Sequence, residues 1–241
     1  MARFMPAARI PEFEAERIAA LKAYAVLDTP AERRFDDLTE LVAHLCDVPI
    51  AVVSLVDTDR QWFKSRVGLD VSETHRDAAF CAHAILSDEL CVIEDAERDE
   101  RVLDNPLVLG PPNIRFYAGA PLVVGGGHRM GTLCVIDQRP RTLSPQQREL
   151  LTTLARHVVE LLELRRTSAQ LAAALTRVRT LGELIPICSH CRKVRNDQDY
   201  WSSIEQFIAR QTGSQFSHGI CPDCVREHFP EHAEAALADS K

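Results

Sequence analysis

Residues 115–137 read RFYAGAPLVVGGGHRMGTLCVID, and this stretch decides the predicted fold. Two mainly apolar runs, Arg115 to Val124 and Met130 to Ile136, are separated by three consecutive glycines, Gly125 to Gly127. Two short apolar runs joined by a glycine-rich turn predict a β-hairpin. Because the glycines precede a strand and not the N-terminus of a helix, they are expected to form a turn and not a phosphate-binding loop.

The sequence on the N-terminal side of this hairpin alternates between helical and extended patterns. One helix is predicted from Pro11 to about Leu27, and a second follows Pro30 and ends near Asp47. The next predicted elements are a hairpin of Ile50–Val56 with Gln61–Val67, a helix at Asp77–Leu86 and a strand at Leu90–Ile93. This order predicts an α+β fold: an antiparallel sheet with helices on one side and a cavity beneath its crossover loops.

A long helix is predicted on the C-terminal side, from Ser144 to Leu181. Its seam residues are spaced alternately by four and three, as in a coiled coil: Leu150, Leu154, His157, Leu161, Leu164, Ser168, Leu171, Leu175 and Val178. An apolar stripe on a protruding helix needs a partner, so the 144–181 helix predicts a homodimer. The alternative is that its first half packs on its own sheet and the rest is a helical linker.

Several separate motifs in this part of the chain carry a family resemblance. They are YAVLDTPAERRFDDLTELVAHLCDVPIAVVSLVD, RQWFKSRVGL, DAAFCAHAIL, NPLVLGPPNIRFYAGAPL and MGTLCVIDQRPR, in that order. From about Ile18 to Arg165 the chain resembles the GAF domains that precede kinase, cyclase or other outputs in bacterial signalling proteins. The resemblance implies a regulatory fold that binds a ligand or dimerises, usually without catalysis.

The resemblance also implies a ligand pocket between the sheet and the segments that link its central strands. The candidate pocket residues are Trp62, Phe63, Phe80, Cys81, His83, Arg115, Phe116 and Tyr117. Other roles remain open, because Trp62 and Phe63 also suit core packing and Arg115 also suits pairing with a carboxylate.

A cysteine-based redox enzyme or redox sensor is the rival interpretation of the sensor domain. Methionine-sulfoxide reduction needs paired reactive cysteines, and Cys81 and Cys91 lie near each other in sequence. No neighbouring residue marks a lowered pKa, however, and FCAHAIL does not resemble a bilin-attachment site. Cys81 and His83 make a poor metal pair, because residues two apart on a helix do not face each other.

The C-terminal region contains two C-x-x-C motifs, Cys188 with Cys191 and Cys221 with Cys224. Four cysteine thiolates form the usual closed shell of a structural zinc ion, so these residues predict structural zinc in a small zinc-ribbon-like α module. A dithiol switch and unligated cysteines are the alternatives. The stretch from about Leu184 to Pro230 resembles a small module at the C-terminus of bacterial PAS, GAF and receiver-domain proteins.

Composition and charge narrow the choice of partners. The chain has 241 residues, 46% of them hydrophobic, and a formal net charge of -7, which favours neither nucleic acid nor a membrane surface. A basic cluster at Arg192, Lys193 and Arg195 is diluted by acidic neighbours, so a protein partner is the better expectation. With no signal-peptide core or spanning segment in view, the sequence predicts a cytoplasmic protein.

These observations predict a domain order and a function. The predicted segments are an N-terminal extension at 1–17, a sensor domain at 18–165, a coiled-coil linker at 166–183, a metal module at 184–230 and a tail at 231–241. Because the sequence shows no kinase, cyclase or phosphoacceptor signature, it predicts a non-catalytic relay protein whose sensor passes a change down the helix to the metal module.

Overall fold

A computed structural model of the chain describes residues 7–182, 186–195, 201–217 and 219–232. The chain divides into two compact units, Met1–Ala172 and Ala173–Lys241, and each is described by itself.

The first unit is built on one antiparallel sheet of six strands. The strands are β1 (Ile50–Val56), β2 (Arg60–Val67), β3 (Glu73–His75), β4 (Cys91–Ile93), β5 (Phe116–Val124) and β6 (His128–Asp137). Their order across the sheet is β3-β2-β1-β6-β5-β4, and every neighbouring pair is antiparallel. Gly126 and Gly127 adopt φ of 83° and 76° in the turn between β5 and β6, a conformation that glycine adopts without steric cost. The predicted sheet and its glycine hairpin are therefore confirmed.

Five helices pack around this sheet in the part of the chain that the structure describes. They are α1 (Glu14–Ala23), α2 (Arg33–Cys46), α3 (Phe80–Ala84), α4 (Pro106–Leu109) and α5 (Pro145–Gly182), with a 3-10 turn at Arg76–Ala78. The longer helices α1, α2 and α5 pack on one face of the sheet through residues such as Leu21, Phe35 and Leu151. The short helices α3 and α4 cover the other face through Phe80 and Val108. The α+β arrangement of an antiparallel sheet flanked by helices is thus confirmed.

Only the first half of α5 packs on the sheet. Its buried residues are spaced by three and four along one side, as expected for a helix that covers a sheet: Leu151, Leu154, Ala155, Val158 and Leu162. From residue 163 to residue 176, none of the side chains is buried. Arg165 ties this region to the chain before α2 through an ion pair with Glu32 at 2.8 Å.

The second unit contains short elements. They are β7 (Val194–Arg195), β8 (Trp201–Ser202), α6 (Ile204–Thr212), α7 (Pro222–His228) and a 3-10 turn at Pro230–His232. Strands β7 and β8 pair antiparallel. In neither unit does a described helix combine the length and the apolar character needed to cross a bilayer.

Candidate functional site

A cavity lies against the sheet face that α3 and α4 cover, and we call it the sheet cavity. Its volume is about 60 Å³ and its lining is almost entirely apolar. Residues from β1, β2, β3, β5, β6, α3, α4 and the loops around them form its wall: Ile50, Val52, Gln61, Phe63, Leu69, Val71, Thr74, Phe80, Cys81, Leu107, Pro112, Ile114, Tyr117, Cys134 and Ile136. A cavity beneath the crossover segments is where the sequence predicted a ligand pocket.

Four of the predicted pocket residues line the sheet cavity, namely Phe63, Phe80, Cys81 and Tyr117. Phe63 and Tyr117 belong to strands, where alternate side chains face the same side of the sheet. The rings of Phe80 and Tyr117 lie 5.4 Å apart at an interplanar angle of 40°, a contact through which α3 packs on the sheet. The structure therefore brings half of the predicted set together.

Trp62 and Phe116 lie outside the sheet cavity, which corrects their assignment to it. Each precedes a cavity residue in its strand, so its side chain points to the opposite face of the sheet. There both are buried with the side chains of α1, α2 and α5. Core packing, the alternative that the sequence left open for Trp62, is the role that the structure gives it.

Arg115 and His83 are also absent from the cavity wall. Arg115 pairs with Glu97 at 2.9 Å and donates hydrogen bonds to the carbonyl oxygens of Val108 and Ile114 at 2.9 and 3.0 Å. His83 is partly buried, and burial together with the nearby Arg101 lowers its pKa. Neither residue is placed to hold a ligand in this cavity, and the carboxylate pairing considered for Arg115 is observed.

Two polar residues of the cavity wall were not among the predicted pocket residues. The side-chain oxygens Oε1 of Gln61 and Oγ1 of Thr74 are buried and have no hydrogen-bond partner among the residues that the structure describes. Both residues line the sheet cavity. Buried oxygens without a partner are costly, so these two mark where a bound molecule can donate hydrogen bonds.

A second feature of the cavity wall is a cluster of polar groups around the sulfur of Cys81. Thr132 and Tyr117 donate hydrogen bonds to Cys81 Sγ at 3.0 and 3.3 Å. The sulfur of Cys134 lies 3.9 Å from that of Cys81. Burial alone raises the pKa of Cys81, but hydrogen bonds from Cys134 and from the neighbouring hydroxyl groups outweigh burial and lower the pKa to about 7. The hydrogen bond with Cys81 and burial raise the pKa of Cys134 well above its ordinary value.

The sequence had paired Cys81 with Cys91, whereas the structure places Cys134 beside Cys81. Cys91 is half-buried and receives a hydrogen bond from Arg101 at 3.6 Å. Burial raises the pKa of Cys91. Cys81 and Cys134 are 53 residues apart, and only the position of β6 in the sheet brings them together.

The four C-terminal cysteines lie in the second unit. The backbone N–H of Cys191 donates to Cys188 Sγ at 3.4 Å, and backbone hydrogen bonds from Cys191 and His190 lower the pKa of Cys188. A backbone hydrogen bond from Cys224 likewise lowers the pKa of Cys221. Among the described residues, which include all four cysteines, no three potential metal ligands come together. Each pair presents one thiol with a lowered pKa, and zinc stays a prediction.

A relative with a named activity aligns with about half of the chain. A cyclic di-GMP phosphodiesterase from Pseudomonas aeruginosa is 43% identical over 131 residues, which are 54% of this chain and 22% of that protein. The chain therefore spans about a fifth of the length of this curated relative.

This relative corrects the prediction of a non-catalytic protein. That prediction rested on the absence of kinase, cyclase and phosphoacceptor signatures and took no account of a phosphodiesterase. The chain shares 43% identity with part of a protein named as an enzyme. The expectation of a non-catalytic protein is therefore wrong.

Solved structures and a family profile also match the chain. The GAF domain of an Acinetobacter phosphoenolpyruvate-protein phosphotransferase is 17% identical with a TM-score of 0.48, and the match covers 64% of this chain and 98% of that one. A free methionine-R-sulfoxide reductase from Thermoplasma acidophilum is 14% identical with a TM-score of 0.46, over 59% of this chain and 94% of that one. The GAF-domain profile matches residues 30–162, more than half of the chain. The chain therefore belongs to the GAF-domain family.

Proposed function

We propose that the chain acts in the breakdown of cyclic di-GMP, with its GAF domain controlling a phosphodiesterase activity. The observation that carries this proposal is the 43% identity over 131 residues to a cyclic di-GMP phosphodiesterase. Those 131 residues are 54% of the chain, a length close to that of the GAF match at residues 30–162, which supports the GAF domain as the shared part.

The signal that the domain senses is a small neutral molecule in the sheet cavity. Within the described chain, the cavity wall contains no Asp, Glu, Lys, Arg or His, and its volume is about 60 Å³. One water molecule needs roughly 10 to 15 Å³ of such volume, so the cavity suits a ligand of only a few heavy atoms. A cyclic dinucleotide is far larger and carries two phosphate charges, which this wall does not neutralise. Cyclic di-GMP is thus the substrate of the controlled reaction and not the signal.

The side-chain oxygens of Gln61 and Thr74 require that this ligand contain a hydrogen-bond donor. Both lack a partner within the described structure and both need a donor at the cavity. A ligand with an apolar body and an N–H or O–H group satisfies them, while Phe63 and Phe80 cover its apolar part.

The two faces of β5 connect the cavity to the long helix. Tyr117 lines the sheet cavity, and its neighbour Phe116 packs in the core that includes Leu151 and Leu162 of α5. A shift of β5 on ligand binding changes the surface on which α5 rests. A coupling of about 1 to 3 kcal/mol, typical of allosteric proteins, is enough for such control.

A second copy of the chain completes the relay. Leu164, Leu171 and Leu175 of α5 are 51%, 60% and 55% exposed and fall on one side of the helix. Burial of such a stripe against the same stripe of a second subunit removes apolar surface from water. A dimer of this kind lets two sensor domains act on one output.

The cyclic di-GMP pool of a bacterium that expresses the chain tests the proposal. We expect the pool, measured by mass spectrometry, to fall in cells with the wild-type chain and to fall by a different amount in cells with Gln61→Met. An unchanged pool, with the protein present at the same level, would contradict the proposed role.

A further inference from the structure

We propose that Cys81 and Cys134 form a dithiol site in the wall of the sheet cavity, which a hydroperoxide such as hydrogen peroxide converts to a disulfide. This inference concerns the thiols alone and does not depend on the role in cyclic di-GMP breakdown.

The two sulfur atoms are positioned for bond formation. They lie 3.9 Å apart, and a disulfide bond is about 2.05 Å long, so they must approach by about 1.9 Å. Cys134 lies in β6, in the middle of the sheet, whereas Cys81 belongs to the five-residue helix α3. Because a short helix is held by few backbone hydrogen bonds, α3 is the element that moves.

The surroundings of Cys81 activate its sulfur as the nucleophile. Thr132 and Tyr117 both donate to Cys81 Sγ, and Ser54 Oγ lies 3.2 Å from Thr132 Oγ1 and extends this hydroxyl chain. Donors aimed at a sulfur stabilise the thiolate, which is the form that attacks peroxides. The lowered pKa of Cys81 agrees with this arrangement. The thiol of Cys134 has a raised pKa and keeps its proton, and its sulfur lies 3.6 Å from the carbonyl oxygen of Val52.

The reaction proceeds in two balanced steps. The Cys81 thiolate attacks one oxygen of the peroxide, an S–O bond forms, the O–O bond breaks, and the departing hydroxide takes up the proton that Cys81 had lost. The sulfur of Cys134 then attacks the Cys81 sulfenic acid, an S–S bond forms, the S–O bond breaks, and the leaving hydroxide takes the Cys134 proton. Two thiols and one peroxide thus give a disulfide and two waters, and a dithiol reductant reverses the change.

The sheet cavity gives a small oxidant a place beside these sulfurs. Both cysteines line it, and its volume of about 60 Å³ exceeds the roughly 10 to 15 Å³ that one water molecule needs. A hydrogen peroxide molecule therefore fits, whereas a bulky disulfide reagent does not.

The other described cysteines of the first unit lack this setting. Cys46 is buried in the core on the opposite face of the sheet, where burial raises its pKa. Cys91 has one donor, Arg101, and a raised pKa. Selective oxidation of Cys81 with Cys134 follows from these differences.

Disulfide mapping of the full chain tests the proposal. The reduced protein is treated with hydrogen peroxide, free thiols are blocked with N-ethylmaleimide after the chain is unfolded in urea, and the chain is digested with trypsin and Glu-C without reduction. Cleavage after Glu89 separates Cys81 from Cys91, so a peptide that links Cys81 to Cys134 is identified without ambiguity. We expect this link as the main product in the GAF domain, and dithiothreitol should remove it. Recovery of Cys81 and Cys134 as blocked thiols, in a sample whose C-terminal cysteines are oxidised, would overturn the proposal.

Two variants sharpen the result. In Cys134→Ser the oxidation of Cys81 should stop at the sulfenic acid, which dimedone traps when the oxidised chain is unfolded in urea, while the matched variant Cys46→Ser should form the Cys81–Cys134 link as the wild type does. Absence of a dimedone adduct on Cys81 in a Cys134→Ser chain that was folded during oxidation would count against Cys81 as the nucleophile. Should Cys134→Ser not fold by circular dichroism, the wild-type map decides alone.

Discussion

Gln61 and Thr74 stand opposite each other in the paired strands β2 and β3, both line the sheet cavity, and each has a buried side-chain oxygen without a described partner. A folded protein gains no stability from such oxygens, because each loses its water and receives no hydrogen bond in return. The ligand that we propose would supply the missing donors.

Replacing Gln61 by methionine should therefore stabilise the ligand-free domain and weaken ligand binding. Methionine has a similar length and no polar atom that needs a partner, so we expect a gain of about 1 kcal/mol in the free energy of unfolding. Urea unfolding followed by Trp62 fluorescence, in a Trp201→Phe background, measures the gain. The exposed control Gln170→Met should change it by less than about 0.5 kcal/mol. A loss of stability in Gln61→Met would show that Gln61 has a structural partner.

The dimer proposed for α5 is tested by charges on its exposed stripe. We expect light scattering to give a dimer for the wild type and a monomer for the double variant Leu171→Asp with Leu175→Asp, because four carboxylates cannot share a dry seam. The matched control is Ala169→Asp with Ala173→Asp, which adds the same charges on the opposite side, since a turn has 3.6 residues. A wild-type chain that is monomeric at high concentration would exclude the dimer.

The reactivity of Cys81 should follow its lowered pKa. Methyl methanethiosulfonate reacts with thiolates, so the rate of Cys81 modification should rise with pH and level off above about 7, the pKa of this thiol. Below that pH the thiol is protonated and the rate should fall about tenfold per pH unit. Thr132→Val removes one donor and should move the midpoint upward. A wild-type midpoint at the ordinary thiol value of 9.0 would contradict the proposed activation.

Zinc in the second unit stays a prediction, and metal analysis tests it directly. The purified chain should contain about one zinc per molecule, and serine at Cys188, Cys191, Cys221 or Cys224 should abolish stoichiometric binding, because structural zinc needs four ligands. The control Cys46→Ser should keep its zinc. Zinc-free wild-type protein, or unchanged zinc content in all four variants, would contradict the predicted zinc site.

Local patterns predicted the fold well, because each of its elements has a local cause. The three glycines from Gly125 to Gly127 predicted the β5–β6 hairpin, and the alternation around Trp62 predicted a strand. The same alternation also divides neighbours between faces, and a single sequence does not say which face holds the cavity. For this reason the predicted set contains Phe63 and Tyr117, which line the sheet cavity, together with Trp62 and Phe116, which do not.

The chemistry of the cavity wall depends on contacts between distant parts of the chain. The sequence suggested Cys91 as the redox partner of Cys81 because the two are near in sequence. In the structure the neighbouring sulfur belongs to Cys134, which lies 53 residues away in β6. Gln61 carries no signal of its own, since a glutamine in a strand is ordinarily exposed to water. In the structure Gln61 is buried and pairs with Thr74 of β3, and a single sequence does not predict this burial.

A chimera tests the central claim most directly. Residues 30–162 of this chain replace the matching segment of the Pseudomonas aeruginosa phosphodiesterase, and the hydrolysis of cyclic di-GMP is measured with and without Gln61→Met. We predict that the chimera hydrolyses cyclic di-GMP and that Gln61→Met changes the rate by about fivefold or more, the lower end of typical allosteric coupling. An active chimera whose rate is the same with glutamine and with methionine at this position would contradict control of the enzyme through the sheet cavity.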